Sequence, residues 1–401
     1  FFFRIFAIQI LFYGVGAVIT GILNAERTYL MPSLAPVMNN IVVTVVMFGF
    51  VPLSTWNGEF ALWWLAIGTS LGGIQIPALV KQGFRYHPHI NLRDPMIMEA
   101  LKVAGPMFLY IAGTMITFSC RNAFSLEAAP NGPSTLNYAW TWYQLPYGVI
   151  AVSLSTALLT ELSDCAARED WEGFRGFIRS GLRSTFFLII PLALLVGALA
   201  QPLIQAGAFT ADEVNNVGSI LAVWVLSLPF YAGYMYMYRV FAALRSFLKF
   251  ALIDFVVRFV QVAGYWYLCQ PNVLGLAGIP VADLGFYAVM FVVCSFIVRG
   301  KVGSYGNRGI VVMVVKTVVA SVVGAVAAGV LANGMGVLLA GVAISAVVKA
   351  VAILAVSGIV GLVVSFGLCK VLRVEEFAVL SRIGSKFAGK LGCGKKGNHA
   401  A

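Results

Sequence analysis

The residues of this chain that could bind a ligand are charged and amide side chains placed inside long apolar runs. Arg121 lies in the run Phe118-Ser-Cys-Arg-Asn-Ala-Phe124. An arginine within a membrane is energetically costly and normally faces a cavity or a partner. Apolar runs of the same kind contain five amides, Asn122, Asn137, Gln144, Asn39 and Asn40. One polar cavity among helices would explain these residues together, although hydrogen bonding between helices explains some of the amides.

Arginine in such a cavity has a defined chemical use. Its guanidinium group is planar, permanently charged and suited to bidentate contact with phosphate. We therefore expect Arg121 to contact an anionic group. In the competing interpretation, Arg121 is close enough to the outer end of its helix to snorkel towards lipid head groups.

A second charged pair, Asp254 and Arg258, has i, i+4 spacing within another apolar run. Residues at this spacing share one face of a helix, so the two charges can neutralise each other. Two interpretations stay open, a structural ion pair and a gating pair.

None of the common catalytic or metal-binding patterns occurs in the sequence. It contains no HExxH, no Gly-x-Ser-x-Gly and no P-loop. The cysteines have no spacing that suits a metal, and His87-Pro88-His89 has no supporting Cys or carboxylate. We expect a protein that is not an enzyme, with no metal and no cofactor.

The amino-acid composition indicates the class of fold that contains these residues. Of 401 residues, 60% are apolar and 11% are charged, and the mean hydropathy is +0.90. A soluble domain has about 45–50% apolar and roughly 25% charged residues. Soluble enzymes, disordered proteins and nucleic-acid binders are therefore excluded, and the fold class is an all-α polytopic membrane protein.

A membrane-spanning helix needs about 20 mostly apolar residues. Eleven stretches qualify, several of them with an internal Pro that is common in transporters. They cover approximately residues 3–24, 32–53, 60–80, 97–125, 134–161, 184–206, 214–243, 247–269, 273–298, 310–332 and 338–369.

Lysine and arginine are unevenly distributed between the connecting loops. Most of the 27 basic residues lie in every second loop, and 54–59, 126–133, 207–213, 270–272 and 333–337 contain none. Short cytoplasmic loops collect Lys and Arg. The odd-numbered stretches are therefore expected to run inward, with a cytoplasmic C-terminal tail.

Two further segments carry structural expectations. Trp171, Phe174 and Ile178 lie at helical spacing among charges, which predicts an interfacial amphipathic helix over 162–183. The chain begins with Phe1 in an apolar run and its first stretch runs inward, so we expect an odd number of spans upstream in an intact protein.

Four motifs resemble the MurJ/MviN family of lipid II flippases, and they occur in the family's order. The most extensive is Gly21-Ile-Leu-Asn-Ala, followed by Pro32-Ser-Leu-Ala-Pro-Val-Met-Asn-Asn40. The others are Tyr138-Ala with Gln144-Leu-Pro-Tyr-Gly-Val149 and Leu159-Thr-Glu-Leu-Ser163, Gly207-Ala-Phe-Thr210, and Arg239-Val-Phe-Ala-Ala-Leu244.

The resemblance implies a two-lobed flippase with fourteen spans, three more than are visible here. It implies a bacterial inner-membrane protein whose partners are lipid-linked peptidoglycan precursor, membrane lipids and other cell-wall synthesis proteins. The corresponding domains are the last three N-lobe helices at 1–82, a cytoplasmic linker at 83–96, a six-helix C-lobe at 97–300, two additional helices at 309–370, and a basic tail at 371–401.

The sequence departs from the family pattern at one important place. The family often has Asp-Arg after the Tyr-Ala motif, whereas this chain has Trp140 and Thr141. We expect Arg121 to replace that charge, with Tyr138 and Thr141 near the same substrate. The alternatives are a flippase for another polyprenyl-linked saccharide, a drug/cation antiporter of the same superfamily, or a membrane scaffold that transports nothing.

The distribution of charge makes a testable prediction about topology. Cysteines introduced at 126–133 or 207–213 should react with a membrane-impermeant thiol reagent added to intact cells, because these loops are predicted to be extracellular. Cysteines introduced at 85–93 should react only after the membrane is opened. Labelling at 85–93 in intact cells would overturn the predicted orientation.

Overall fold

The computed structural model describes residues 2–25, 30–72, 95–207, 209–342 and 344–377. These residues form helices and short connections, and none of them is in a β-strand. The chain divides into two compact units, Phe1–Leu92 and Arg93–Ala401. The expected linker at 83–96 lies almost entirely outside the described residues, as does the expected tail beyond residue 377.

The described part of the N-terminal unit consists of α1 (Phe2–Ala25), α2 (Leu30–Trp56) and α3 (Gly58–Gly72). Asn57 alone separates α2 from α3, and its side-chain oxygen accepts hydrogen bonds from the backbone N–H groups of Glu59 (3.0 Å) and Phe60 (3.2 Å). This satisfies donors that a helix start leaves unpaired. The indole of Trp64 donates to the carbonyl of Val46 at 3.0 Å and joins the two helices.

The C-terminal unit contains eleven α-helices in its described part. They are α4 (Pro95–Ala128), α5 (Gly132–Pro146), α6 (Ser153–Ala167), α7 (Trp171–Ala198), α8 (Ala200–Gln205), α9 (Ala211–Trp224), α10 (Leu228–Ala243), α11 (Phe247–Leu268), α12 (Gly278–Val302), α13 (Asn307–Leu339) and α14 (Ala346–Val371). Its core is rich in aromatic rings, and Trp224, Tyr143 and Tyr234 are among its fully buried side chains.

Two of the expected spans are interrupted at proline. Tyr147–Val152 form a π-helical turn between α5 and α6, directly after Pro146. Val225–Ser227 form a 3₁₀ turn between α9 and α10, shortly before Pro229. Proline has no backbone N–H, so the regular ladder of hydrogen bonds cannot continue through it. Such local changes of helix type are frequent at functional positions.

Eight helical segments in the described ranges are long and apolar enough to cross a membrane. They confirm an all-α polytopic membrane fold. The other three expected spans correspond to α3, whose described part ends at Gly72, to the interrupted α5–α6 pair, and to α11, which carries buried charges. The total of eleven spans stays a prediction.

The expectation of one interfacial helix over 162–183 is wrong. The helix is interrupted at residues 168–170. Asp170 then caps the start of α7 by accepting a hydrogen bond from the Gly173 N–H at 2.9 Å. From Trp171, α7 continues without interruption to Ala198. Phe174 and Ile178 are fully buried in the protein core. Their helical spacing therefore marks a core-facing side of a long helix, which sequence periodicity does not distinguish from a membrane-surface side.

Helices α13 and α14 pack closely on each other and on α7. A methyl group at Gly324 of α13 would come within 2.6 Å of the Gly361 carbonyl oxygen of α14. At Gly361 it would come within 2.6 Å of Leu195 in α7 and 2.9 Å of Ala328 in α13. Small residues in membrane helices permit this approach. The two additional C-terminal helices are thus part of the C-terminal unit.

This contact predicts opposite effects for two substitutions in α13. Gly324→Ala should lower the thermal unfolding temperature in detergent, because overpacking against backbone costs about 1–3 kcal/mol. The control Gly329→Ala has no neighbour within 4 Å. It should be neutral or stabilising, since Ala is favoured over Gly in a helix by roughly 0.5–1 kcal/mol. Equal effects of the two substitutions would contradict close α13–α14 packing.

Candidate functional site

A polar cavity of about 160 Å³ lies inside the C-terminal unit, bordered by α4, α5, α10, α11 and α12. Its charged lining residues are Arg121, Arg258 and Asp283, and its uncharged polar ones include Thr114, Thr117 and Gln261. Five tyrosines and Trp140 also line it. A polar cavity within a membrane-spanning unit is expensive to maintain, which indicates a function.

Arg121 projects from α4 into this cavity and is only 7% exposed. Its guanidinium carbon lies 4.8 Å from the ring centre of Phe118, 5.4 Å from Trp140 and 5.6 Å from Trp224. Cation–π attraction of this kind stabilises a desolvated guanidinium. Its Nε has no hydrogen-bond partner in the described part of the chain. The buried Nε–H of Arg121 is therefore free to donate to a ligand.

Asp283 of α12 is the acceptor at the centre of a second group of contacts. Its carboxylate accepts hydrogen bonds from the indole of Trp224 at 2.9 Å, the amide of Gln261 at 2.7 Å and the hydroxyl of Tyr265. The side chain is 2% exposed. Three donors compensate for the loss of water around this carboxylate. Gln261 also has a free acceptor, because its Oε1 has no partner in the described residues.

Asp254 and Arg258 of α11 form an ion pair, with 2.6 Å between Oδ2 and Nε. The Tyr234 hydroxyl of α10 donates to the other oxygen of Asp254 at 2.7 Å. The Arg258 guanidinium lies 5.0 Å from the ring centre of Phe286 and 5.6 Å from that of Tyr110. The pair thus connects α11 with α4, α10 and α12. This is the shared helix face that the i, i+4 spacing predicts.

Four polar residues of α11 have a spacing in the sequence that places them on one face of the helix. Asp254, Arg258, Gln261 and Tyr265 are separated by four, three and four positions, and all four are buried. Helical neighbours at this spacing lie above one another. The first two were predicted as a pair, whereas Gln261, Tyr265 and the acceptor Asp283 that these two contact were not predicted as site residues.

The cavity of Arg121 does not include the predicted amides, and a single cavity that holds all of them stays a prediction. Asn122, Asn137 and Thr141 do not line the cavity of Arg121. On α5, Trp140 and Tyr143 pack inward while Asn137 and Thr141 are exposed, and the Thr141 hydroxyl donates to the Asn137 carbonyl at 2.9 Å. Successive helix residues point about 100° apart, so Thr141 cannot share the direction of Trp140.

The other predicted residues lie in separate surroundings. Tyr138 is 47% exposed and its ring packs on Phe209, with 4.8 Å between centroids. The Gln144 amide donates to the Tyr231 hydroxyl at 3.3 Å, so it touches a cavity-lining residue without lining the cavity. In the N-terminal unit, Asn39 is half-buried and Asn40 is exposed on α2.

Helices long enough to span a membrane, together with a buried polar cavity inside one helical unit, define a polytopic membrane protein of the transporter class. The family model described as "Lipid II flippase MurJ" matches residues 1–366. The chain belongs to this family, which confirms the resemblance seen in the motifs. The family is one of flippases and not of enzymes.

Two curated relatives show the extent of the similarity. A probable lipid II flippase MurJ of Synechocystis is 28% identical over 261 residues, which cover 60% of this chain and 48% of the relative. That of Bdellovibrio bacteriovorus is 30% identical over 218 residues, covering 52% and 41%. The chain spans about half the length of the curated relatives that it matches.

Solved structures support the fold. Lipid II flippase MurJ in an inward closed conformation superposes with a TM-score of 0.71 at 21% identity, covering 92% of this chain and 73% of the other. An inward-facing multidrug resistance MATE transporter of the MOP superfamily gives 0.62 at 19% identity, covering 76% and 72%. The flippase and the drug transporter share the architecture, so the fold alone does not select a substrate.

The buried ion pair predicts a large loss of stability on removal of one charge. Arg258→Met leaves Asp254 buried and unpaired, which costs about 3–5 kcal/mol of unfolding free energy. The control Arg168→Met breaks another i, i+4 pair, with Asp164, whose side chains are 74% and 51% exposed. Exposed pairs contribute about 0–1 kcal/mol. Chemical unfolding in detergent measures both.

A second variant separates the effect of the unpaired carboxylate from the effect of losing the arginine side chain. Asp254→Asn combined with Arg258→Met removes the unpaired carboxylate and should recover most of the lost stability. If Arg258→Met and Arg168→Met lower the free energy of unfolding equally, the buried pair Asp254–Arg258 stabilises the protein no more than an exposed pair.

Proposed function

We propose that this chain acts in a flippase that moves undecaprenyl-diphosphate-linked peptidoglycan precursor, lipid II, from the inner to the outer leaflet by alternating access. The observation that carries the proposal is the family match across residues 1–366. The proposed location is the bacterial inner membrane, and the proposed partners are membrane lipids and other cell-wall synthesis proteins.

The physical requirement of this activity is a polar path. A diphosphate joined to sugars and a peptide cannot enter hydrocarbon unaided, because its polar groups would lose their hydrogen bonds to water. Helix α5 supports the proposal because Ser134, Asn137 and Thr141 are all exposed at helical spacing. A helix face directed only at lipid would avoid such a stripe. We assign substrate contacts to Asn137, Tyr138 and Thr141 on α5 and to Asn39 and Asn40 on α2.

We assign to Arg121 the contact with a phosphate oxygen of the substrate. Its free Nε donor and its position in the cavity support this assignment. The cavity has a volume of about 160 Å³, which is room for a phosphate group. We assign contacts with the sugar and the peptide in part to Asn122 and Gln144.

Asp254 and Arg258 are proposed as a latch between helices. The pair connects α11 to α10 through Tyr234. A rocking motion that separates α10 from α11 would break a buried charge-assisted contact, and a packed interface of this kind favours two discrete arrangements.

A cation-driven drug antiporter is the second candidate function. Two buried carboxylates near one cavity favour it. Asp254 is already paired with Arg258, however, and Asp283 accepts three hydrogen bonds. Carboxylates engaged in this way are poorly prepared to bind a transported cation, which favours the flippase.

The proposal predicts the behaviour of Arg121 in bacteria depleted of their own lipid II flippase. The natural intact protein should restore growth and outward movement of lipid II, measured with a reagent that reaches only the outer leaflet. Arg121→Ala should abolish both, and Arg121→Lys should retain part. The control Lys349→Ala removes another basic residue of an apolar run that does not line the cavity, and it should restore growth fully.

Protein level and unfolding temperature serve as controls for folding. A normally expressed and stable Arg121→Ala protein that restores growth would refute the phosphate contact. Adding Thr141→Arg should not restore Arg121→Ala, because Thr141 is turned away from the cavity. Asp254→Asn and Arg258→Gln belong in the same assay, and full activity of both variants would leave the pair a structural role only.

A further inference from the structure

A second charged pocket lies in the C-terminal unit and shares no lining residue with the cavity of Arg121. Its volume is about 390 Å³, and it is formed by α7, α13 and the residues that follow α14. We call it the basic pocket. Its cationic lining residues are Arg179, Arg183, Arg308, Lys316 and Arg373.

Acidic residues do not balance this charge. Glu375 lines the pocket, and both it and Glu376 bind Arg183, with 2.9 Å between Arg183 Nη2 and Glu375 Oε2. Arg183 thus has a structural role that ties the segment after α14 to α7. The other four cations form no ion pair within the described residues. Residues 378–401 contain five Lys and Arg and no Asp or Glu.

The backbone adds to the positive potential of the basic pocket. Helix α13 begins next to it, with Gly306 as the residue before the helix and no side chain capping the helix start. Gly306 has φ +84°, and a methyl group there would contact the Arg179 side chain at 3.4 Å. Arg179 therefore lies directly against the start of α13. Unpaired N–H groups at a helix start favour anions.

An apolar surface continues from the basic pocket along the same helix. Val312 and Met313 line the pocket. Val311, Val315 and Val319 of α13 are 60%, 56% and 55% exposed. Helix α13 is long enough to span a membrane, so this exposed apolar surface is suited to contact lipid chains. A cationic pocket joined to a lipid-facing surface is complementary to a molecule with an anionic head and apolar chains.

We propose that the basic pocket binds the phosphodiester head group of an anionic glycerophospholipid, whose acyl chains lie along Val311, Val315 and Val319. The leaflet is the one that the loop charges predict to be cytoplasmic, where basic pockets between helices meet anionic lipid. The exposed valines favour a lipid over free phosphate, which has no apolar part. The inference does not depend on flippase activity.

The test measures thermal unfolding of the purified protein in micelles. Phosphatidylglycerol, phosphatidylcholine or inorganic phosphate is added at equal phosphorus concentration. Phosphatidylglycerol alone should raise the unfolding temperature. Arg308→Gln with Arg373→Gln removes two exposed cations without touching Arg183. Binding of phosphatidylglycerol should weaken roughly 30-fold, since each cation near an anionic surface contributes about a fivefold effect.

The matched control is Lys102→Gln with Lys249→Gln, which removes two exposed cations of the same predicted side outside the basic pocket. It should keep the full response to phosphatidylglycerol. If both double variants lose the response to phosphatidylglycerol equally, the lipid is attracted by the overall charge and not by the basic pocket, which would refute the proposed site.

Two further outcomes complete the test. A response to inorganic phosphate as large as that to phosphatidylglycerol would identify a free-anion site and refute the lipid. If Arg308→Gln with Arg373→Gln lowers stability without lipid, Arg308→Lys with Arg373→Lys decides the matter. That variant keeps the charge and should keep the lipid response, and a lost response would refute electrostatic recognition.

Discussion

The cost of placing ionised side chains among membrane-spanning helices governs the interior of the C-terminal unit. An isolated charge in such surroundings is strongly unfavourable, so each one needs an opposite charge, several hydrogen bonds or aromatic faces. Asp254 has Arg258 and Tyr234, Asp283 has three donors, and Arg121 has three aromatic rings. The helices that supply these partners must therefore stay in register.

This compensation also explains why the cavity suits a moving protein. Its partners come from five helices, so a displacement of any one of them changes several contacts at once. Packed interiors respond to such changes by switching between discrete arrangements. The free groups on Arg121 and Gln261 are the places where a ligand or water can add a contact without breaking an existing one.

The two charged regions of the C-terminal unit differ in their balance of positive and negative charge. Arg121 and Arg258 line the cavity, and the buried carboxylates Asp283 and Asp254 lie in and next to it, as burial of charge requires. In the basic pocket, four cations have no carboxylate partner among the described residues, which is tolerable only because Arg179, Arg308 and Arg373 are exposed. Charge that is balanced supports the architecture, while charge that is unbalanced and exposed is available to an anionic partner.

The sequence by itself determined the class of the protein, the approximate positions of most helices and the Asp254–Arg258 contact, because apolar length and i, i+4 spacing are local properties of one helix. It also carried the family motifs. Tertiary structure alone decided that Phe174 and Ile178 face the core, that Trp140 and not Thr141 meets Arg121, and that Asp283 joins Trp224, Gln261 and Tyr265. Those contacts link different helices, and the rotation of one helix against another depends on packing that no single stretch of sequence contains.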